Sequence, residues 1–257
     1  MAEVSQVETV SGRASGLALS AQQTAYFEAF GFLRVPGLFR ADVGRIEAAF
    51  EDVFAALPEE ESLRNLDTEG YDEAFGTRAR LDSHHHLNFG GHRAMVGEFI
   101  DRHDTLRALR SDPRVVGVVT SLLGEGYEFA GSDGNLLDCD TSWHCDVYGS
   151  PVDQLHVKLF FYLDALDARS GALRVIPGTH QFQSKFARRL RRDLDQWERI
   201  ESTFGVPYDE IPSWTIVNEP GDLIVGNFRM IHATFGGKPR RRLFTLNFRE
   251  AGEDARS

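Results

Sequence analysis

Cysteine is nearly absent from this chain: Cys139 and Cys145 are the only two in 257 residues. So sparse a set builds no disulfide framework, and a reducing compartment such as the cytoplasm fits it. Positive charge is scarce as well. Lys and Arg number 28 against 39 Asp and Glu, a net charge of -11, which argues against nucleic acid or an anionic membrane as partner. Long apolar runs are missing; the stretch 159–163 is far too short to span a bilayer. The Met1-Ala2-Glu3-Val4 start has neither a basic n-region nor an apolar h-region, so no secretory leader is expected. Repeats and low-complexity tracts are also lacking. The reading is a soluble cytoplasmic protein, its oligomeric state left open.

What the chain does hold is apolar mass, with 42% hydrophobic residues and 19 Phe. That suffices for one domain over 1–257 with a sizeable core. Residues 1–18 are polar and small and read as a frayed start. Ser20, with Gln23 at the capping-box position, opens a helix to Phe30 that Gly31 ends. A short strand 32–35 follows, then a helix 41–57 with Val43, Ile46, Phe50 and Val53 on one stripe. Segment 58–91 has weak periodicity and high charge, and reads as a long loop and candidate lid over the substrate. Within it His84, His85 and His86 are adjacent and so do not converge on one ion in regular structure; they read as solvated or substrate-lining. Residues 93–123 read as helix, the last part opened by Asp112-Pro113.

After Gly126 the texture changes to strands at 127–139, 154–163, 171–176, 214–217, 222–225 and 241–249, separated by turn residues. One helix, 184–204, interrupts them; its basic run Arg188, Arg189, Arg191 and Arg192 reads as a solvated face. Helices first and antiparallel strands after predict an α+β, mainly β protein. Its jelly-roll core would span 127–249, with N-terminal and flanking helices.

His144 and Asp146 stand two apart on an extended stretch, so both point to one side while Trp143 and Cys145 point to the other. Taken alone, such a pair is more often a hydrogen-bonded couple than a ligand set. Three surroundings raise it. His232 follows a strand that opens with Gly221-Asp222 and ends in Met230-Ile231. Four cations, Lys238, Arg240, Arg241 and Arg242, gather around Pro239 at the start of the last strand. The strand 171–176 ends in the turn Pro177-Gly178-Thr179-His180. Two imidazoles and one carboxylate with open positions are the ligand set of non-haem Fe(II) oxygenases.

Alternation assigns faces to the strands around this site. In 241–249, Phe244, Leu246 and Phe248 form an apolar face, and Arg241, Leu243, Thr245 and Asn247 form the cavity face. In 154–163, Gln154, His156, Lys158, Phe160 and Tyr162 look inward. Lys158 and His156 then touch cosubstrate or substrate, or Lys158 snorkels to the rim. Asn135 and Asp133 line the pocket or form a turn. His180 reads as a structural hydrogen-bonding residue, and Cys145 as neither ligand nor nucleophile.

With these residues in view, the chain resembles the phytanoyl-CoA dioxygenase family of Fe(II)/2-oxoglutarate-dependent oxygenases, from the helix at Ser20 to about Phe248. The carriers are Gly171-Ala172-Leu173 with Pro177-Gly178-Thr179-His180, and Pro220-Gly221-Asp222 ahead of the distal His232. The resemblance implies a double-stranded β-helix with His144, Asp146 and His232 as iron ligands, using 2-oxoglutarate and O2. The family also holds the far carboxylate of 2-oxoglutarate with an Arg after the distal His. A guanidinium fork suits that task because it is always charged and binds a carboxylate through two bonds. Arg241 is the choice by strand face, with Arg242 the alternative, and the connection from His232 is shorter than the family's usual one. Lys158 and Asn135 are further cosubstrate-contact candidates. An intact Asp146 separates the chain from related halogenases, in which a small residue replaces the carboxylate. The implied reaction is oxidation of a C–H bond of a small molecule, foremost hydroxylation, in secondary-metabolite tailoring, with 2-oxoglutarate converted to succinate. Desaturation, cyclisation and epimerisation are alternatives of the same chemistry. Other classes are a non-catalytic small-molecule-binding jelly roll and a metal-dependent hydrolase or isomerase.

Overall fold

The computed structural model describes residues 18–57, 88–89, 93–138, 140–146, 154–194, 197–237 and 240–251. The first helix, α1 (Ala21–Phe30), begins as the sequence dictates: Ser20 Oγ accepts from Gln23 N, and Gln23 Oε1 accepts from Ser20 N. It stops at Gly31, whose φ of 83° is left-handed backbone open to glycine. Strand β1 (Phe32–Val35) follows. The second helix, α2 (Val43–Ala55), is shorter than the periodicity predicts, because residues 40–42 form a separate 3-10 turn. It buries Ile46, Ala49, Phe50, Val53 and Phe54. The expected lid 58–91 and its His84–His86 tract lie outside the described residues, save for β2 (Asn88–Phe89). The expected frayed segment 1–18 lies outside them too, apart from Ala18.

Residues 93–97 correct the helical expectation. They form β3 (Arg93–Gly97), because all five pair with the strand β4 (Glu128–Leu137), from Arg93 opposite Leu137 to Gly97 opposite Asp133. Tertiary pairing here overrides a weak local preference. Helical turns then lead to α3 (Pro113–Leu123), with Asp112 as N-cap and Pro113 in its first turn. The remaining strands are β5 (Asp140–His144), β6 (His156–Tyr162), β7 (Leu173–Val175), β8 (Trp214–Ile216), β9 (Leu223–Asn227), β10 (His232–Thr234) and β11 (Arg241–Arg249). Between β7 and β8 the expected single helix is two, α4 (Lys185–Leu194) and α5 (Trp197–Phe204).

Two antiparallel sheets result, in the orders β1-β9-β6-β11-β4-β3 and β2-β5-β10-β7-β8. This is the expected jelly roll, with β1, β2 and β3 added from ahead of residue 127. Period-two alternation sorts the larger sheet into two faces. Outward, Val157, Leu159, Phe161, Phe244, Leu246 and Phe248 pack beneath α2 and α3 with Phe39, Phe50 and Phe99. Inward, Phe160, Tyr162, Leu243 and Ile224 meet Leu173, Val175 and Ile216 of the smaller sheet. That inner layer packs the two sheets against each other. A third cluster, with Trp143, Ile231, Ala233 and Phe235, backs the smaller sheet against Leu190 of α4.

Candidate active site

The short strand β10 sets the site. His232 is its first residue and stands opposite His144 of β5 on one side and Val175 of β7 on the other. Opposite residues of an antiparallel pair point the same way, so both imidazoles enter the barrel, ring centroids 4.2 Å apart. β5 ends at His144, and Asp146 lies just past it rather than on the strand. Its backbone N–H donates to Phe228 O at 2.8 Å, which keeps the chain extended and the carboxylate inward. Asp146 Oδ1 lies 3.8 Å from His144 Nε2, and Oδ2 lies 3.7 Å from His232 Nε2. One ligand atom from each of the three falls within 4.8 Å of the others.

Hydrogen bonds fix the tautomers. His144 Nδ1 lies 2.8 Å from Ser142 O and His232 Nδ1 lies 3.0 Å from Met230 O. A carbonyl only accepts, so each Nδ1 carries the proton and each Nε2 turns a lone pair toward the centre. Burial, helped by the neighbouring His232, pushes His144 down to about 3. Burial likewise lowers His232, outweighing the carboxylate beside it. Burial alone would raise Asp146, but Lys158 and the two imidazoles hold it well below the usual carboxylate range. Two neutral imidazoles and an ionised carboxylate are the protonation states that a divalent cation requires. The residues fit a bound metal ion.

Lys158, on the inner face of β6, places Nζ 3.0 Å from Asp146 Oδ2. Its ammonium also stands 5.3 Å from the Phe228 ring centroid. Arg241 heads β11 and is wholly buried. Its guanidinium donates to Gly171 O at 3.0 Å and to Thr234 Oγ1 at 3.2 Å. Arg242 points the other way, to Glu47 at 3.0 Å, Glu51 at 3.3 Å and Asp164 at 3.2 Å. Of the two arginines, Arg241 is the inward one. Asn135 is buried on the inner face of β4, and its Nδ2 donates to Asp133 Oδ2 at 2.6 Å. His156 lies at the other end of the β6 face, 3.3 Å from Gln154 Oε1. His180 is structural: its Nε2 lies 2.9 Å from Glu28 O, seating it on the end of α1. Cys145 points outward, with Arg191 Nη1 3.0 Å from its Sγ.

Thr234, which sequence reading passes over, belongs to this pocket. It stands two positions after His232 on the same face, a relation alternation alone reveals, and its hydroxyl receives Arg241. Tyr162, expected to look inward, faces the same space. Burial pushes its phenol up to about 12, against the opposing charges of Arg241 and Lys158.

The sequence model of the phytanoyl-CoA dioxygenase family matches residues 27–242. The chain belongs to the phytanoyl-CoA dioxygenase family. Members of this family are non-haem Fe(II)/2-oxoglutarate-dependent oxygenases, so the protein is an oxidoreductase of that type. Solved structures share the fold at low identity. HygX from Streptomyces hygroscopicus, crystallised with nickel and 2-oxoglutarate, is 15% identical with a TM-score of 0.64, over 94% of this chain and 95% of that one. The carbocyclase SnoK of nogalamycin biosynthesis is 19% identical with a TM-score of 0.61, over 91% and 85%. EctD from S. alaskensis in its apoform is 18% identical with a TM-score of 0.60, over 93% and 80%. No curated protein sequence matches the chain. Among the described residues no helix is long and apolar enough to cross a membrane.

Proposed function

We propose that His144, Asp146 and His232 hold Fe(II), and that 2-oxoglutarate lies between this centre and Arg241. The observation that carries the reading is the convergence of the three side chains within 4.8 Å on the barrel's inner face. Arg241, fully buried, faces the same interior. A buried guanidinium offers paired donors to the far carboxylate of the cosubstrate, with Thr234 and the Tyr162 hydroxyl beside it. Asn135 borders the same inner face. Lys158 neutralises Asp146 and keeps the carboxylate oriented. The apolar layer of Phe160, Leu243 and Ile224 keeps water from the interior on that side.

With Fe(II), 2-oxoglutarate and O2 bound, the site supplies oxidative decarboxylation of the cosubstrate to succinate, coupled to oxidation of a substrate C–H bond. The reading commits to hydroxylation of a small molecule, in secondary-metabolite tailoring, inside the cytoplasm. The nogalamycin carbocyclase, which shares the fold, supports that setting and names ring closure as a competing outcome; epimerisation is another outcome of the same chemistry.

The test is anaerobic addition of Fe(II) and 2-oxoglutarate to metal-free protein, watching for the visible charge-transfer band of the chelate. Wild type should form the band, His144→Ala and Asp146→Ala should lose it, and Arg241→Lys should need more 2-oxoglutarate. A folded, iron-loaded wild type without the band would overturn the proposal.

A further inference from the structure

The inner face of the larger sheet carries a second polar group, one that the metal centre does not use. Asp133 of β4 is only 6% exposed. Its Oδ1 accepts from Thr245 Oγ1 at 2.5 Å and its Oδ2 from Asn135 Nδ2 at 2.6 Å. Both donors are neutral, and no cation of the described residues pairs with this carboxylate. Each carboxylate oxygen has room for two donors, so among the described residues half the acceptor capacity of Asp133 is unused. Two residues along β11 from Thr245, Asn247 is 7% exposed, and its Oδ1 receives no hydrogen bond from the described residues.

The strand register brings the two acceptors together. Thr245 stands opposite Asp133, and Asn247 opposite Gly131, so Asp133 and Asn247 are diagonal neighbours on one face. Such neighbours lie about 7 Å apart, a gap that one small donor group fills. Among the described residues the space beside them is open. Gly97 stands opposite Asp133 across β3, and a Cβ added at Gly97 or Gly131 meets nothing within 4 Å. Lys158, opposite Asn247 on β6, turns its ammonium to Asp146 instead.

We propose that Asp133 and Asn247 form the recognition point for a positively charged nitrogen, so that the substrate is an amine-bearing small molecule. The proposal rests on the oxygenase reading and adds the substrate class to it. A buried carboxylate without a counter-charge is costly, and an incoming cation relieves that cost more than a neutral hydroxyl does. An ammonium has three donors, enough for Asp133 and the Asn247 carbonyl together. A purely structural Asp133, tying β4 to β11 through Thr245, accounts for its two hydrogen bonds. It leaves the bare acceptor of Asn247 and the space at Gly97 and Gly131 without a role.

The test presents the Fe(II)- and 2-oxoglutarate-loaded enzyme with small primary amines and their N-acetyl counterparts, reading succinate release. Turnover should fall in the amine half, and N-acetylation should lower kcat/KM about 100-fold. Asp133→Asn keeps the shape but removes the charge, and should narrow that ratio below about tenfold. The chelate band in this variant checks that the metal centre survives. Thr245→Val removes the inter-strand bond but not the charge; it should lower Tm and leave the ratio standing. Turnover confined to the N-acetyl half, a silent amine half, or an unchanged ratio in Asp133→Asn overturns the inference. Loss of the chelate band in wild type defeats the oxygenase reading instead, so the two failures are distinguishable.

Discussion

Arg241 and Gly171 are in such close contact that a Cβ on Gly171 would stand 1.6 Å from Arg241 Nη1. The glycine has a φ of 85°, and its carbonyl accepts from the same guanidinium. The turn before β7 therefore seats the arginine by leaving out a side chain. Gly171→Ala should displace Arg241 while leaving His144, Asp146 and His232 in place. The KM for 2-oxoglutarate should rise by about tenfold or more, the loss of roughly one charge-assisted hydrogen bond. Steady-state succinate release against 2-oxoglutarate concentration checks this, and an unchanged KM in a folded variant refutes the seat.

Arg242 is the control for that experiment. Its side chain meets Glu47, Glu51 and Asp164 on the outer face, beneath α2. Arg242→Gln should cost about 1–2 kcal/mol of stability, since these pairs are only partly shielded from solvent. The 2-oxoglutarate requirement should not move. A denaturant midpoint and a KM measured on one preparation separate the two effects, and a raised KM with intact stability would exchange the roles of the two arginines.

Strand alternation alone makes this contrast legible in the sequence: Arg241 shares a face with Thr245 and Asn247, and Arg242 with Phe244. The same rule places His144 beside Asp146 and turns Cys145 away. It misses β3, where Arg93 to Gly97 become a strand only because β4 lies alongside them. It also misses how short β5 and β10 are; Asp146 is held by Phe228 O rather than by a strand ladder. The parts that Thr234 and Gly171 play are hidden for a related reason. Their role is to receive Arg241, and a residue that serves another through space has no local pattern of its own.

A pH effect on stability is centred on Arg114. Its guanidinium bonds Asp112 and Asp42, each at 2.7 Å, and lies over the Phe39 ring, 4.1 Å from its centroid. The bond from Arg114 holds both carboxyls below the ordinary value of 3.8. A depressed folded pKa gives stability that is present above the unfolded value and lost as pH falls through the folded one. The contribution should therefore be full at neutral pH and fade below about pH 4. Arg114→Gln should lower the neutral-pH Tm, and the gap from wild type should narrow on acidification. A residue of the gap should persist at low pH, because the Phe39 contact does not titrate. Thermal melts across that range decide it; a gap that widens toward acid would show the sign to be wrong.

Metal binding should itself stabilise the fold, because the three proposed ligands come from β5, the stretch just beyond it, and β10. A cation that binds the folded chain alone adds RT ln(1 + [M]/Kd), about 2.7 kcal/mol at a hundredfold excess over Kd. For a chain of this size that is roughly 5–10 °C in Tm. Anaerobic Fe(II) should produce such a shift in wild type and none in His232→Ala. His232→Ala should also begin from a lower Tm, since the buried imidazole bonds Met230 O and stands edge-on to Phe160, so the comparison is between the Fe(II)-induced shifts and not the starting values. This measurement needs neither substrate nor turnover, so it reports on the ligand set by itself. An equal shift in wild type and variant would mean that iron binds elsewhere, and the assignment of His232 would fall.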